Sequence, residues 1–204
     1  MASIRLYEEN TNQRDLADVV KVLRDGGIII YPTDTLYAFG CDITNVRAVE
    51  RICALKNIDP NKMPLSFICS NISHISQYAK IDNDTFKLLK SCLPGPFTFL
   101  LNGNSNLPKL FKKKNTVGVR IPDNKIATNL VEALGNPLLS TSIFINEEEP
   151  EYCTDPELII ETYEKQVDLI IDGGMGDIEP STIVDCTQEE PYIKRKGKGL
   201  LVLD

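Results

Sequence analysis

The sequence predicts a single α/β domain spanning residues 1–204, with a mixed sheet of parallel and antiparallel strands and flanking helices. Helical patterns and short β-branched runs alternate through most of the chain, whereas three β-like segments gather near its end. The length fits one domain, because 204 residues are few for two. With 42% hydrophobic and 25% charged residues, the composition is that of an ordinary globular protein.

The elements follow in chain order from periodicity and from the residues that begin and end them. Helices are predicted at 12–24, 44–56, 82–93 and 124–134, and a fifth begins at Asp155, the expected N-cap before Pro156. Strands are predicted at 28–31, 64–69, 97–101, 116–121, 137–140, 167–171, 182–186, 192–195 and 200–203. Alternation in 116–121 places Arg120 on the face opposite three apolar residues. Gly135 is the expected C′ glycine of the fourth helix.

Composition argues against several classes of protein. No apolar run approaches the roughly 20 residues of a membrane-spanning helix, and the N-terminus lacks the apolar segment of a secretory leader. The six cysteines are dispersed without a CxxC pair, which indicates reduced thiols and a cytoplasmic protein. The single histidine, His74, leaves little room for a zinc site or a Ser/His catalytic pair, so we predict no metal-ligand set. The net charge of −7 argues against a surface devoted to nucleic acid.

Hydroxyl groups and isolated cations dominate the residues that could carry chemistry. Thr33 and Thr35 follow the first predicted strand, and a Ser–Thr–Ser run from Ser140 to Ser142 follows a later one. The other candidates are Lys56, Arg120, Ser181 and Arg195. Strand ends in α/β sheets commonly bind small ligands, and hydroxyls beside cations suit a carboxylate or a phosphate. The pattern predicts an anion-binding cleft, although the two threonines could equally be turn residues and the lysine a cation at a helix end.

A series of motifs in fixed order resembles one known family. The segment YPTDTLYAFGCD (31–42) is similar to the opening motif of the YrdC-like family, the threonylcarbamoyl-AMP synthases. Further matches are a lysine after the next helix followed by PL (64–65), PGPFT (94–98), VRIPD (119–123), PLLS (137–140), the strand and glycine pair at 167–174, EPSTIVD (179–185) and IKR (193–195). Each motif alone is weak, but eight in order, over about residues 12–199, are specific.

The resemblance implies a twisted, open sheet around a large concave, positively charged cavity. It also implies a reaction in which L-threonine, bicarbonate and ATP, accompanied by Mg²⁺, give threonylcarbamoyl-AMP and pyrophosphate for the threonylcarbamoyladenosine modification of tRNA. The residues that would bind threonine are Thr33, Thr35, Arg120 and Ser181. Those that would bind the nucleotide are Lys56, Ser140, Ser142 and Arg195. The residues that would act in catalysis are Lys56, Arg120 and Arg195.

Two departures from the family pattern weaken the expected nucleotide side. The synthases carry a K-x-R motif, and here Ile58 stands where the arginine belongs after Lys56. They also carry S-x-N, and here the third residue is Ser142. Loss of one charge-assisted bond to phosphate would cost about 1.5–3 kcal/mol, or roughly 10- to 100-fold in binding. In both respects the sequence is more similar to the YciO branch of the family.

Two other functions are open for this sequence. One is binding of double-stranded RNA or tRNA through a basic rim, although a charge run is usually only a solvated surface. The residues concerned are Lys112, Lys113, Lys114, Lys196 and Lys198. The other function keeps the cleft but changes its ligand to a different nucleotide, amino acid or acyl-adenylate.

Overall fold

Helices and strands alternate in the computed structural model, which describes residues 3–59, 66–108, 111, 115–143 and 148–203. The helices are α1 (Gln13–Arg24), α2 (Val46–Leu55), α3 (Ile72–Ser76), α4 (Asn83–Cys92), α5 (Lys125–Leu134), α6 (Glu151–Thr154) and α7 (Pro156–Tyr163). The strands are β1 (Ser3–Arg5), β2 (Ile29–Tyr31), β3 (Ala38–Asp42), β4 (Ser66–Ile68), β5 (Phe97–Asn102), β6 (Thr116–Arg120), β7 (Leu138–Ser142), β8 (Leu169–Asp172), β9 (Thr182–Asp185) and β10 (Tyr192–Arg195).

Side-chain caps mark where two of the predicted helices begin, and a glycine marks where another ends. The Asn12 side chain accepts a hydrogen bond from the backbone amide of Arg14 at the start of α1, and Asp155 does the same for Glu157 at the start of α7. Such caps satisfy amide groups that have no partner in the first turn. Gly135 follows α5 at φ 87°, a left-handed conformation that glycine adopts without steric cost.

The strands of the described residues form one sheet. Their order is β1-β8-β2-β3-β7-β4-β6-β5-β9-β10. The pairs β1/β8, β2/β8, β4/β6 and β5/β9 are parallel, whereas β2/β3, β3/β7, β4/β7, β5/β6 and β9/β10 are antiparallel. The predicted mixed sheet with flanking helices is confirmed.

The two faces of this sheet are covered to different extents. On one face a large core contains side chains such as Phe39, Phe67 and Phe99 together with the buried residues of α2, α3, α4 and α7. On the other face α1 and α5 form a smaller core against strand residues that include Tyr31 and Leu138. These two helices cover only part of the second face, and the remainder is open.

Strand alternation determines what the open part presents. In β6, Val117 and Val119 belong to the larger core, so Gly118 and Arg120 point to the other face. In β5, Phe99 belongs to the larger core, whereas Thr98 and Leu100 lie on the open face. Polar side chains such as Thr98 and Arg120 therefore occur on the strands where no helix covers the sheet.

The strand predictions differ from the structure in several places. β1 and β3 were not predicted; β3 is buried on both faces and carries Gly40 at its centre, so it has no alternation to detect. β7 continues to Ser142, so the Ser–Thr–Ser run lies within the strand and not after it. Residues 200–203 form no strand, because the sheet ends at β10 and Leu200 is 95% exposed. Of the predicted strand at 64–69, residues 64–65 lie outside the described part of the chain.

The cysteines and the helices bear on two of the expectations drawn from composition. All six cysteines are free thiols. Burial raises the pKa of the Cys69 thiol to about 12, so this thiol stays protonated at neutral pH. Within the described ranges, no helix has the length and apolar character needed to cross a membrane.

Candidate functional site

The open part of the second face forms the floor of a cavity of about 140 Å³. It extends across seven strands that are neighbours in the sheet, from β3 to β10. Its lining residues are Thr35, Leu36, Ala38, Ser66, Thr98, Leu100, Arg120, Ser140, Thr141, Ser142, Pro180, Ser181, Ile183 and Arg195. Seven of these carry hydroxyl groups, two are arginines and none is acidic. Such a lining suits an anionic ligand.

Arg120 ends β6 with its side chain buried in the cavity wall. Its Nη2 donates to the Oδ1 of Asp34 at 2.8 Å and to the Oγ1 of Thr35 at 3.0 Å. The other oxygen of Asp34 accepts from the backbone amide of Asp123 at 3.1 Å. The arginine that we expected to bind a ligand is therefore already paired with a carboxylate from the loop after β2.

Arg195, at the end of β10, stands at the exposed rim of the same cavity. Its Nη2 donates to the backbone oxygen of Ser181 at 2.7 Å. The hydroxyls of Ser181 and Thr98 are hydrogen bonded at 2.8 Å. Partial burial and, to a smaller extent, the positive charge of Arg120 lower the pKa of Arg195. A bound anion would favour the charged form of Arg195.

Ser140 and Ser142 lie on the cavity side of β7. The hydroxyl of Tyr31 donates to the Oγ of Ser140 at 2.7 Å, and burial raises the pKa of Tyr31. Lys56 is the C-cap residue of α2, and its Nζ donates to the backbone oxygen of Ser142 at 2.6 Å. Burial lowers the pKa of Lys56. Lys56 therefore contacts the end of β7 at the rim of the cavity. It is not itself a lining residue.

The two threonines after β2 have different positions. Thr35 lines the cavity, whereas Thr33 lines a neighbouring hollow of about 370 Å³ that shares Thr35 and Asp34 with this wall. The Oγ1 of Thr33 accepts from the backbone amide of Thr35 and donates to the backbone oxygen of Leu36. Thr33 therefore shapes the turn that positions Thr35. This is the turn role that the sequence left open for the threonines.

The basic residues predicted to contact RNA differ in their exposure and in their contacts. Lys112, Lys113 and Lys114 are outside the described residues. Lys196 is exposed. The Nζ of Lys198 donates to the backbone oxygen of Asp34 at 2.7 Å and pairs with Asp177 at 2.8 Å, so it belongs to the wall of the neighbouring hollow.

Ile58 does not replace the missing arginine of the K-x-R motif. Its side chain is partly buried and packs against the larger hydrophobic core. This contact is on the face of the sheet opposite the cavity, so position 58 supplies no charge to the cavity.

Several members of the site, among them Asp34, Tyr31 and Thr98, are not predicted from the sequence. Asp34 has no predicted role, and in the structure it is the ion-pair partner of Arg120, which is 86 positions away in the sequence. Tyr31 and Thr98 looked like ordinary strand residues, and each holds a cavity serine. For Tyr31 and Thr98, the only signal in the sequence is a polar group within an otherwise apolar strand. That signal does not identify the serine to which each is hydrogen bonded.

Comparison with known proteins shows which family has this sequence pattern. A model of the Sua5/YciO/YrdC family, described as "Telomere recombination", matches residues 21–197. A Haemophilus influenzae protein is 42% identical over 196 residues, which are 95% of this chain and 94% of that protein. The E. coli K12 protein YciO is 41% identical over 196 residues, with the same coverage.

Solved structures agree with the sequence matches. The crystal structure of E. coli YciO has a TM-score of 0.88 at 40% identity and covers 97% of this chain and 96% of that one. The structure of P. abyssi Sua5 complexed with L-threonine has a TM-score of 0.83 at 25% identity and covers 96% of this chain and 57% of that one. The chain belongs to the Sua5/YciO/YrdC family.

Proposed function

We propose that the protein is an L-threonylcarbamoyladenylate synthase, which makes threonylcarbamoyl-AMP and pyrophosphate from L-threonine, bicarbonate and ATP for the modification of tRNA. The observation that carries this proposal is one cavity in which Arg120 and Arg195 stand among seven hydroxyl-bearing residues. An amino-acid carboxylate and a triphosphate need separate cations, and the cavity offers two. Similarity to P. abyssi Sua5, a structure of which is complexed with L-threonine, supports the amino-acid half.

The reaction suits a site without a protein nucleophile. The amine of threonine adds to CO₂ derived from bicarbonate and loses a proton, which gives a carbamate. A carbamate oxygen then attacks the α-phosphorus of ATP, and pyrophosphate leaves with the electron pair of the broken P–O bond. Positioning and charge neutralisation can accelerate both steps.

Each reactant has residues on its side of the cavity. For threonine we assign Arg120, Thr35 and Ser181, with Thr33 supporting the turn. For the phosphates we assign Arg195, Ser140 and Ser142, with Lys56 at the rim. Because Ile58 packs into the core and supplies no charge, we expect weak ATP binding, roughly 10- to 100-fold below that of a site with the missing cation.

Magnesium enters this proposal as part of the ATP substrate. None of the cavity-lining residues is acidic, and the described residues contain no group of three or more histidine, cysteine or acidic side chains that could hold a metal ion. Mg²⁺ commonly keeps several waters and binds through substrate phosphates. The arginines would neutralise the charge that the ion leaves uncompensated.

Pyrophosphate release tests the proposal. We expect the protein, given ATP, Mg²⁺ and bicarbonate, to release pyrophosphate faster when L-threonine is added. Arg120→Ala should abolish the threonine-dependent rate, because it removes the buried cation of the amino-acid side. Arg47→Ala, an exposed substitution on α2, should retain it. A rate that is the same with and without threonine would refute the proposal and favour a different nucleotide or amino acid in this cavity.

Binding of tRNA or double-stranded RNA stays a prediction. Lys198 is held within the wall by Asp177 and by the backbone oxygen of Asp34, so it adds little to a free basic rim. A gel shift that weakens steeply with rising salt would support such binding. A gel shift that is absent at low salt would rule it out.

A further inference from the structure

Asp34 is a buried carboxylate to which the proposed reaction assigns no role. Its side chain is 8% exposed, and that of its partner Arg120 is 10% exposed. A buried ion pair is costly to break by removing one partner, because the other charge is left uncompensated. Whatever binds to Arg120 must therefore also satisfy Asp34.

The geometry of the guanidinium sharpens this constraint. An arginine grips a carboxylate through two parallel N–H groups, either those of Nε and Nη2 or those of Nη1 and Nη2. Both pairs include Nη2, and its two hydrogens serve Asp34 and Thr35. The Nε of Arg120 is buried without a hydrogen-bond partner in the described part of the chain. No complete pair is free for a ligand while Asp34 stays bound.

We propose that Asp34 is a specificity-determining residue that restricts the Arg120 site to zwitterionic α-amino acids. A ligand carboxylate takes Nη1 and Nη2 of Arg120, and the displaced Asp34 carboxylate accepts a hydrogen bond from the ligand's α-ammonium group. One ion pair is thereby exchanged for two. A simple carboxylate or phosphate has no cation to offer Asp34, so its binding leaves a buried, unpaired charge. This inference rests on the proposed amino-acid ligand.

Two features keep Asp34 in place for this exchange. Its Oδ2 accepts from the amide of Asp123, and its backbone oxygen accepts from Lys198. Both contacts are independent of Arg120. The carboxylate can release Nη2 and remain at the wall between the cavity and the neighbouring hollow.

A comparison of two ligands tests the inference by calorimetry in the absence of ATP. The probes are L-threonine and 3-hydroxybutanoate, which is threonine without its amino group. The wild-type protein should bind threonine at least about tenfold more tightly. In Asp34→Asn, threonine should bind more weakly and 3-hydroxybutanoate more tightly, so that the preference is lost. Asp84→Asn removes the same charge from α4, on the opposite face of the sheet, at a side chain that is 92% exposed, and it should keep the wild-type preference.

Several outcomes would overturn the inference. They are equal weakening of both ligands in Asp34→Asn, an unchanged preference, or a wild-type protein that binds neither ligand or does not distinguish them. If Asp34→Asn does not fold, a structure of the wild-type complex decides the question. The threonine ammonium should lie about 3 Å from the Asp34 carboxylate, and an intact bond between Nη2 and Asp34 would contradict the exchange.

The pyrophosphate assay keeps the two proposals separable. Threonine-dependent pyrophosphate release with no loss of preference in Asp34→Asn would refute the role of Asp34 and leave the synthase activity standing. Loss of preference in Asp34→Asn without any threonine-dependent release would support the role of Asp34 and refute the synthase activity.

Discussion

At the scale of single residues, the two arginines of the cavity differ in burial and in hydrogen-bond partners. Arg120 is buried and tied to Asp34 and Thr35, whereas Arg195 is exposed at the rim and donates to Ser181. Partial burial and the nearby charge of Arg120 lower the pKa of Arg195. A polyanion at the rim would be stabilised by Arg195 with little rearrangement, which is why we assign the phosphates to it.

Removal of Arg195 should therefore affect the nucleotide more than the amino acid. We expect Arg195→Ala to raise the KM for ATP about 10- to 100-fold, the value of a charge-assisted hydrogen bond to phosphate, with a smaller effect on the KM for threonine. Steady-state pyrophosphate release at varied ATP measures this. The melting temperature should stay near that of the wild type, because the side chain is exposed. An unchanged KM for ATP would remove Arg195 from the nucleotide side.

At the scale of elements, the β9–β10 hairpin carries Arg195 and is itself held by Asp185. The Oδ1 of Asp185 accepts from the amide and hydroxyl of Thr187, and its Oδ2 accepts from the hydroxyl of Tyr192. Burial alone would raise the pKa of Asp185, but these hydrogen bonds and the charge of Lys194 outweigh it, so the pKa is lowered. The ionised form therefore stabilises the hairpin.

The sign of the pH dependence follows from this lowered pKa. Asp185 stabilises the fold at pH values above its unfolded pKa of about 3.8, and this contribution is lost as the pH falls through the lower folded value. We expect the wild-type free energy of unfolding to fall more steeply below about pH 4 than that of Asp185→Asn. Urea denaturation between about pH 6 and pH 2 measures both slopes. Asp84→Asn, at a side chain that is 92% exposed, should keep the wild-type slope, and equal slopes in all three proteins would contradict this account.

The same scale explains which elements the sequence could predict. Helices with an Asn or Asp cap and a clear apolar stripe, such as α1, began within one residue of the predicted start. β3 was missed because burial on both faces removes the alternation on which strand prediction depends. The pattern at 200–203 alternates, with Leu201 and Leu203 packed on the core, but strand formation also needs a neighbouring strand that sequence does not reveal.

At the scale of the whole molecule, the cavity exists because one sheet is covered unequally. The larger core packs against one face from β8 to β9, and α1 and α5 close only part of the other. Motif resemblance and the polar strand positions predicted six of the lining residues: Thr35, Arg120, Ser140, Ser142, Ser181 and Arg195. They could not predict the pairing of Arg120 with Asp34, because a contact across 86 positions depends on the order of the strands.

We have proposed that this cavity binds an amino acid and a triphosphate side by side. A structure of the protein with L-threonine and a non-hydrolysable ATP analogue tests it most directly. We predict the threonine carboxylate about 3 Å from the guanidinium of Arg120, and the phosphates within hydrogen-bond distance of Arg195 and Ser140. Ligands bound elsewhere on the surface, with both arginines left in their present contacts, would refute the proposed binding site.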